Sequence, residues 1–469
     1  VLNLPSLRQG ASVLVVYVLS AFIFLPLASA QNTLVPPGES RYHPTIFPDR
    51  IVLVPTQTPE NSQSVNWRTD ASVTEAVAEI ALATDTPGLH LDSRSIRGNT
   101  QALETENGLA HHHNATFTGL EPDTLYAYRV VGGNTWSEWF QFRTAKEGFA
   151  PHTAIYFGDA QNAVKSHFSR VIREAYSTAP RAQMMVHAGD MVNSRDGRDD
   201  DEWGEWFEAG GWVNSMINNF VAVGNHEYHS QPNGPRTLAP QVPVQFATPD
   251  NGPAPLQATV YYTDYQGVRY VALDSMEALQ DDNLARLQAE WLDEILSDNP
   301  NRWTVVSHHH PVFSVSLGRD NPALREHWQP VYERHGVNLV LQGHDHTYGR
   351  GQNAATGTMG QLSKSGPMYV VSVAGPKMYI VTETAQQNMD RVGEDTQLFQ
   401  LIEFEEDRIV YEARTVTGAL YDAFDIERDS NGNTRVIDRN PGGDHNLCSN
   451  PNPPRETRCW NGDDFISHD

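Results

Sequence analysis

Five short polar motifs stand in order along the sequence: Gly158-Asp159-Ala160-Gln161, Gly189-Asp190-Met191-Val192-Asn193, Gly224-Asn225-His226-Glu227, His308-His309-His310-Pro311 and Gly343-His344-Asp345-His346. Their carboxylate, imidazole and amide groups suit first-row transition metals or zinc, and the absence of thiolates argues against a purely structural zinc cluster. An aspartate shared between two ions would hold them roughly 3.5 to 4 Å apart, the spacing that clamps an in-line phosphoryl displacement. Each motif alone says little, because a lone Gly-Asp is usually a turn and a lone Asn-His usually a hydrogen-bonded loop. The ordered set carries the inference.

The elements that must position these residues are visible from Gly148 onward. Apolar runs alternate with amphipathic segments: Thr153 to Phe157, Met184 to His187, Phe220 to Val223, Tyr270 to Leu273, Thr304 to Val306, Asn338 to Leu341 and Tyr369 to Val373. Between them Leu284, Leu287, Trp291, Leu292, Ile295 and Leu296 fall on one helical face. This predicts an α/β layered domain, with each candidate ligand just past a strand. Sites in open α/β sheets form beyond the carboxyl ends of strands, so distant segments can converge there.

From about Arg50 to Thr144 the pattern is short alternating strands: Ile51 to Val54, Ser64 to Arg68, Ala76 to Ala81, Ala115 to Thr118, Leu125 to Val131 and Trp139 to Arg143. This reads as an all-β sandwich. The stretch from Ala115 to Tyr128, with Trp67 earlier, resembles the last half of a fibronectin type III domain. The run His111-His112-His113 has no acidic or cysteine partner nearby and reads as a solvated loop. The acidic run Asp199-Asp200-Asp201-Glu202, ahead of Trp203, Trp206, Phe207 and Trp212, reads as a solvated loop leading into a packed helix and as a candidate pocket rim. His308, His327 and His335 are expected beside the site or at the surface. After about Asp429, clusters of Asn, Gly, Pro and Asp predict an irregular tail.

At 469 residues the chain exceeds one ordinary core, so a small and a large domain are expected. The formal charge of -25 disfavours nucleic acid and anionic membranes as partners. A small phosphate ester is affected less, because a metal site supplies local positive charge. Arg8, the apolar run Ala11 to Leu27 and Ala28-Ser29-Ala30 read as a signal peptide over residues 1–30, giving a secreted or periplasmic protein with no membrane attachment after cleavage. Cys448 and Cys459 are expected to pair as a disulfide in the tail.

The ordered motifs resemble the calcineurin-like metallophosphoesterases, and the preceding sandwich makes the purple acid phosphatases the nearest likeness. The resemblance covers about Arg50 to Asp425, including Thr415 to Phe424. It implies two mixed β-sheets flanked by helices, and these domains: 31–147 the fibronectin-like domain, 148–430 the catalytic domain, 431–469 the tail. It further implies that Asp159, bridging Asp190 and His346 hold a first metal ion, and Asp190, Asn225, His309 and His344 a second. His309 rather than His308 is the ligand, two residues before Pro311. His226 would contact phosphate and protonate the leaving oxygen, with His310 a second catalytic candidate.

Two departures from the family pattern bear on the metals. Asn193 stands where purple acid phosphatases carry a ligand tyrosine, which leaves no phenolate colour and makes Asn193 at most a ligand or near neighbour. Gln161 stands where related enzymes place glycine or histidine, and its amide oxygen is a candidate ligand of the first metal. With so little fixed negative charge, two divalent ions (Fe, Zn, Mn or Co) are expected rather than a ferric-divalent pair. The expected activity is hydrolysis of small phosphate monoesters by metal-bound hydroxide. The alternatives are a phosphodiesterase or nucleotidase with the same site, or a non-catalytic metal-binding surface protein.

Overall fold

The computed structural model describes residues 32–195, 197–232, 234–352, 367–439 and 447. The apolar leader and both cysteines lie outside them. Two β-sheets are stacked face to face and covered by helices on both outer sides, which is the α/β layered fold that the alternating runs predict. In the first sheet the strands His152–Phe157, Met184–Ala188 and Asn218–Ala222 run parallel. In the second, Val268–Ala272, Trp303–Ser307, Leu339–Gln342 and Met368–Val371 do the same, flanked by antiparallel Tyr261–Tyr265. Strands buried on both faces need apolar side chains throughout, which is why they appear as continuous runs rather than alternations.

The space between the sheets is filled by Tyr156, Met184, Val186 and Phe220 from one and Tyr261, Tyr270, Trp303, Val305, Leu339 and Leu341 from the other. On the outer face of the first sheet lies helix Val164–Thr178, whose Val164, Phe168, Val171, Ile172 and Ala175 recur at helical spacing and are buried. Beside it packs Asp200–Gly210 with Trp203, Trp206 and Phe207. Asp199 caps that helix by accepting the Glu202 N–H at 3.1 Å, and three acidic residues in its first turn suit the positive end of the helix dipole. Over the second sheet lies Asp282–Ser297, which buries Ala285, Gln288, Ala289, Leu292 and Leu296 and leaves Leu284, Trp291 and Ile295 partly covered.

The N-terminal strands form the predicted all-β sandwich around Trp67, Phe117, Tyr128 and Phe142. It is not a separate body hung on a linker, because its strand Asp49–Val54 pairs in parallel with Asn218–Ala222, so an 11-stranded sheet runs through both regions. Buried Arg50 and Arg68 reinforce the seam by binding Asp200 at 2.7 and 3.1 Å.

Three expectations are corrected here. The His111-His112-His113 run is part of strand Gly108–Thr118, not a solvated loop. His113 is fully buried, stacks on Trp67 and bonds Thr69 and Thr100 at 2.8 and 2.9 Å. The acidic run is not solvated either, since Asp200 and Glu202 are buried, each held by several donors. Finally, the tail does not become irregular at Asp429. The strands Leu398–Phe404, Arg408–Thr415 and Leu420–Arg428 continue the first sheet to an edge strand at Thr434–Asp438. Among the described residues no helix is long and apolar enough to cross a membrane.

Candidate metal centre

Register decides which side chains meet. Phe157, His187 and Val221 lie side by side in the first sheet, so the chain leaves three adjacent strand ends toward Asp159, Asp190 and Asn225. In the second sheet Ser307 and Leu341 are partners, and the chain leaves them toward His309, His344 and His346. The two sets of ends face one another across the top of the sandwich. Close approach is possible only because Gly343 lacks a side chain: a Cβ there would lie 2.2 Å from Asp159 Oδ1. Asp190, His344 and His346 have φ of 49°, 73° and 48°, a left-handed conformation costing roughly 1 to 3 kcal/mol each outside glycine. Such strain persists where surrounding contacts hold it, and here it falls on three proposed ligands.

Two clusters result. Asp159, Asp190 and His346 form one, and His309, His310 and His344 the other, with the ligand atoms of each within 4.8 Å of one another. Asp190 faces both. Its Oδ2 lies 3.1 Å from His309 Nε2, 2.7 Å from Gln161 Nε2 and 3.8 Å from His226 Nε2. His346 Nε2 is 3.2 Å from Asp159 Oδ2, and His309 Nε2 is 3.2 Å from Asn225 Oδ1 and 3.0 Å from His344 Nδ1. All seven residues expected to hold metal are therefore together, six of them buried and His344 half-buried.

The rings are aimed by backbone carbonyls. His309 Nδ1 donates to Ala188 O at 2.8 Å and His346 Nδ1 to Lys377 O at 3.2 Å, which leaves each Nε2 lone pair facing the centre. His226 Nδ1 donates to the carbonyl of Asn193. Asn193 thus contributes its backbone, while its N–H and that of Ser194 are held at 2.7 Å by Glu202. His310 bonds Ser275 Oγ through Nδ1 at 2.9 Å and packs against the His344 ring at 4.2 Å. His308 points away into the core, against Trp328 and Tyr332. His327 and His335 are at the surface, paired with Asp282 and Asp293.

The electrostatics call for cations. Burial, with the Asp190 charge beside it, pushes the Asp159 carboxyl up to about 7. Burial works the same way on Asp190, but His309 and His226 hold it well below the usual range. Burial opposes charge on His309, yet Asp190 and Asp159 carry it up to about 9. A proton on His309 thus occupies a position that a metal ion would take. Burial lowers His226 to about 4 against the pull of Asp190. Asp159 Oδ2 and Gln161 Oε1 are buried and accept no hydrogen bond. Rotating the Gln161 amide by half a turn would place Oε1 beside Asp190 Oδ2 and His346 Nε2, the atoms its Nε2 now meets at 2.7 and 3.2 Å, a set of lone pairs that suits a divalent ion. The residues fit the metals.

Several contributors were not singled out from sequence. Glu227 and Glu202 bind backbone N–H groups of the ligand loops. Arg319 bonds the carbonyl of His344 and lies 3.3 Å from Asp345 Oδ1. Lys377 sits beside His346. Two signals were visible: Glu202 within the acidic run read as a candidate pocket rim, and Glu227 beside two candidate site residues in Gly224-Asn225-His226-Glu227.

Comparison with known proteins agrees with this geometry. Residues 48–144 match the purple acid phosphatase N-terminal domain, and residues 155–348 match the calcineurin-like phosphoesterase family. An uncharacterized protein of Mycobacterium tuberculosis is 26% identical over 320 residues, which are 61% of this chain and 59% of that protein. Acid phosphatase type 7 of Danio rerio is 26% identical over 326 residues, 62% of this chain and 68% of that one. The purple acid phosphatase PPD1 of yellow lupin (Lupinus luteus) superposes with a TM-score of 0.68 at 17% identity, covering 82% of this chain and 75% of that one, and so shares the fold.

Proposed function

We propose that this chain, which belongs to the calcineurin-like phosphoesterases and carries the N-terminal domain of the purple acid phosphatases, is an exported dinuclear-metal hydrolase of small phosphate monoesters. One observation carries the reading: Asp190 Oδ2 faces both ligand clusters at once, as a carboxylate shared between two ions must.

Asp159, Asp190, Gln161 and His346 would hold one ion, and Asp190, Asn225, His309 and His344 the other. When bound, the ions supply Lewis-acid charge that activates water and offsets the charge of the phosphoryl oxygens. The protein does the rest. His226 presents Nε2 toward the site because Asn193 O fixes Nδ1–H, so a proton on Nε2 can pass to the departing alcohol oxygen. An arriving phosphate dianion raises the proton affinity of that buried nitrogen, which charges it when the ester is present. Ser275 holds His310 at the edge of the second cluster, where it can meet a phosphoryl oxygen. Export is supported by the apolar leader and its small-residue site.

The test is phosphate release from mono- and bis-aryl phosphates with added Mn, Zn, Fe or Co. Metal-dependent turnover that favours the monoester is expected. Faster turnover of the bis-aryl compound would make the chain a diesterase, and none with any metal would make it a binding protein.

A further inference from the structure

The chain has four lysines, and one of them stands at the metal centre. Lys377 lies on the loop after strand Met368–Val371, and that loop is fastened to the first ligand cluster at several points. Ala374 N and Gly375 N donate to Asp159 O at 3.0 and 2.6 Å, Lys377 O takes the His346 Nδ1–H, and Tyr379 N donates to His346 O at 3.0 Å. Gly375 is required there, because a Cβ would meet Gln161 O at 1.8 Å. The Tyr379 ring packs 4.8 Å from that of His346, and the Lys377 ammonium lies 5.7 Å from the same tyrosine ring.

Lys377 is 7% exposed. Acidic residues outnumber Lys and Arg by 58 to 33, yet among the described residues Lys377 has no carboxylate within ion-pair distance. The other described lysines do: Lys146 lies 3.5 Å from Asp123 and Lys165 lies 2.7 Å from Glu208. Arg319, the neighbouring cation over Tyr379, is already balanced by Asp345. The Lys377 ammonium stands over the Tyr379 ring, which packs on His346, and the Lys377 carbonyl takes the His346 Nδ1–H, so the lysine lies beside the first cluster. A buried ammonium without a counter-ion is costly, and such a group is retained where a ligand brings the missing anion.

We propose that Lys377 recognises the substrate, binding the terminal anionic oxygen that a phosphate monoester has and a diester lacks, and thereby sets the preference for monoesters. This rests on the hydrolase reading above, but the binding step is separable from turnover. A monoester dianion carries one more anionic oxygen than a diester, and a charge-assisted hydrogen bond to it adds affinity for the monoester alone.

The experiment is calorimetric titration of the metal-loaded protein with inorganic phosphate, for wild type, K377M, K377R and K146M. K377M should bind phosphate ~10- to 100-fold more weakly with metal content unchanged. K377R should recover part of the loss, and K146M should match wild type. KM for a mono-aryl phosphate should rise in K377M by a similar factor, while KM for the bis-aryl compound moves little. Unchanged phosphate binding in K377M, equal loss in K377M and K377R, or loss of metal in K377M would each overturn the proposal. If wild type binds phosphate through Lys377 but hydrolyses no ester, the hydrolase reading fails and the recognition site stands.

Discussion

The buried carboxylate of Glu227 holds the backbone of Asp190, accepting its N–H at 2.9 Å while also taking those of Met191 at 2.8 Å and Gly224 at 2.7 Å. One side chain thereby ties together the loops that carry Asp190 and Asn225. It explains how Asp190 can persist at a φ of 49°. Replacing Glu227 with Gln turns one acceptor into a donor facing N–H groups. Affinity for Mn or Zn, read by calorimetry, should fall about 10- to 100-fold. Wild-type affinity in E227Q would show that the loops hold themselves.

His226 and Glu202 act in series, one at the reacting proton and the other behind it. H226N should lower kcat by roughly 10² to 10⁴ with both metals retained. The loss should be larger for alkyl phosphates than for p-nitrophenyl phosphate, whose leaving group needs no proton. E202Q loosens the Asn193 carbonyl that orients the ring and should cost about tenfold in kcat with the same leaving-group pattern. Equal losses across leaving groups would remove His226 from the acid role.

How much of this was legible in the sequence follows from burial. The strands ending at Phe157, Ala188 and Ser307 are covered on both faces, so they could only be unbroken apolar runs, and the ligands sit directly after them. The candidate ligands of both clusters stood out in the sequence for that reason. What stayed hidden depends on partners far away in sequence. His113 is neutral core, pushed down to about 4 by burial, and its stabilising contacts come from Trp67, Thr69 and Thr100. Asp200 looks solvated until Arg50 and Arg68 arrive from the other domain. The edge strand Thr434–Asp438 needs only one side of pairing, so polar residues around it gave no strand signal.

Metal binding should release protons. In the metal-free protein His309 carries its proton up to about 9, and a metal ligand must be neutral. The proton competes most strongly below that value, so affinity should strengthen as pH rises toward 9 and weaken as it falls. At pH 7 calorimetry in buffers of different ionisation enthalpy should show release of at least about one proton. No buffer dependence would contradict the charge state argued for the centre.

Acid should destabilise the fold through buried histidines as well as through the metals. Burial lowers His187 and His152 to about 4, from 6.5 in the unfolded chain. Because the neutral form is the native one, their contribution is full above pH 6.5 and is lost as pH falls toward 4. In H187Q the drop in unfolding free energy between pH 7 and pH 4.5 should shrink by about 2 kcal/mol, read from urea midpoints. An unaltered drop would place the acid sensitivity elsewhere.

If Asp190 joins two ions into one catalytic centre, turnover needs both of them. The direct measurement is phosphate release from p-nitrophenyl phosphate as metal-stripped protein is titrated with Mn or Zn, alongside metal content and the visible spectrum. Activity should appear only as the second equivalent binds, N225A should keep one ion and lose turnover, and the iron-loaded protein should show no intense phenolate band. Full activity at one equivalent, or in N225A, would contradict it.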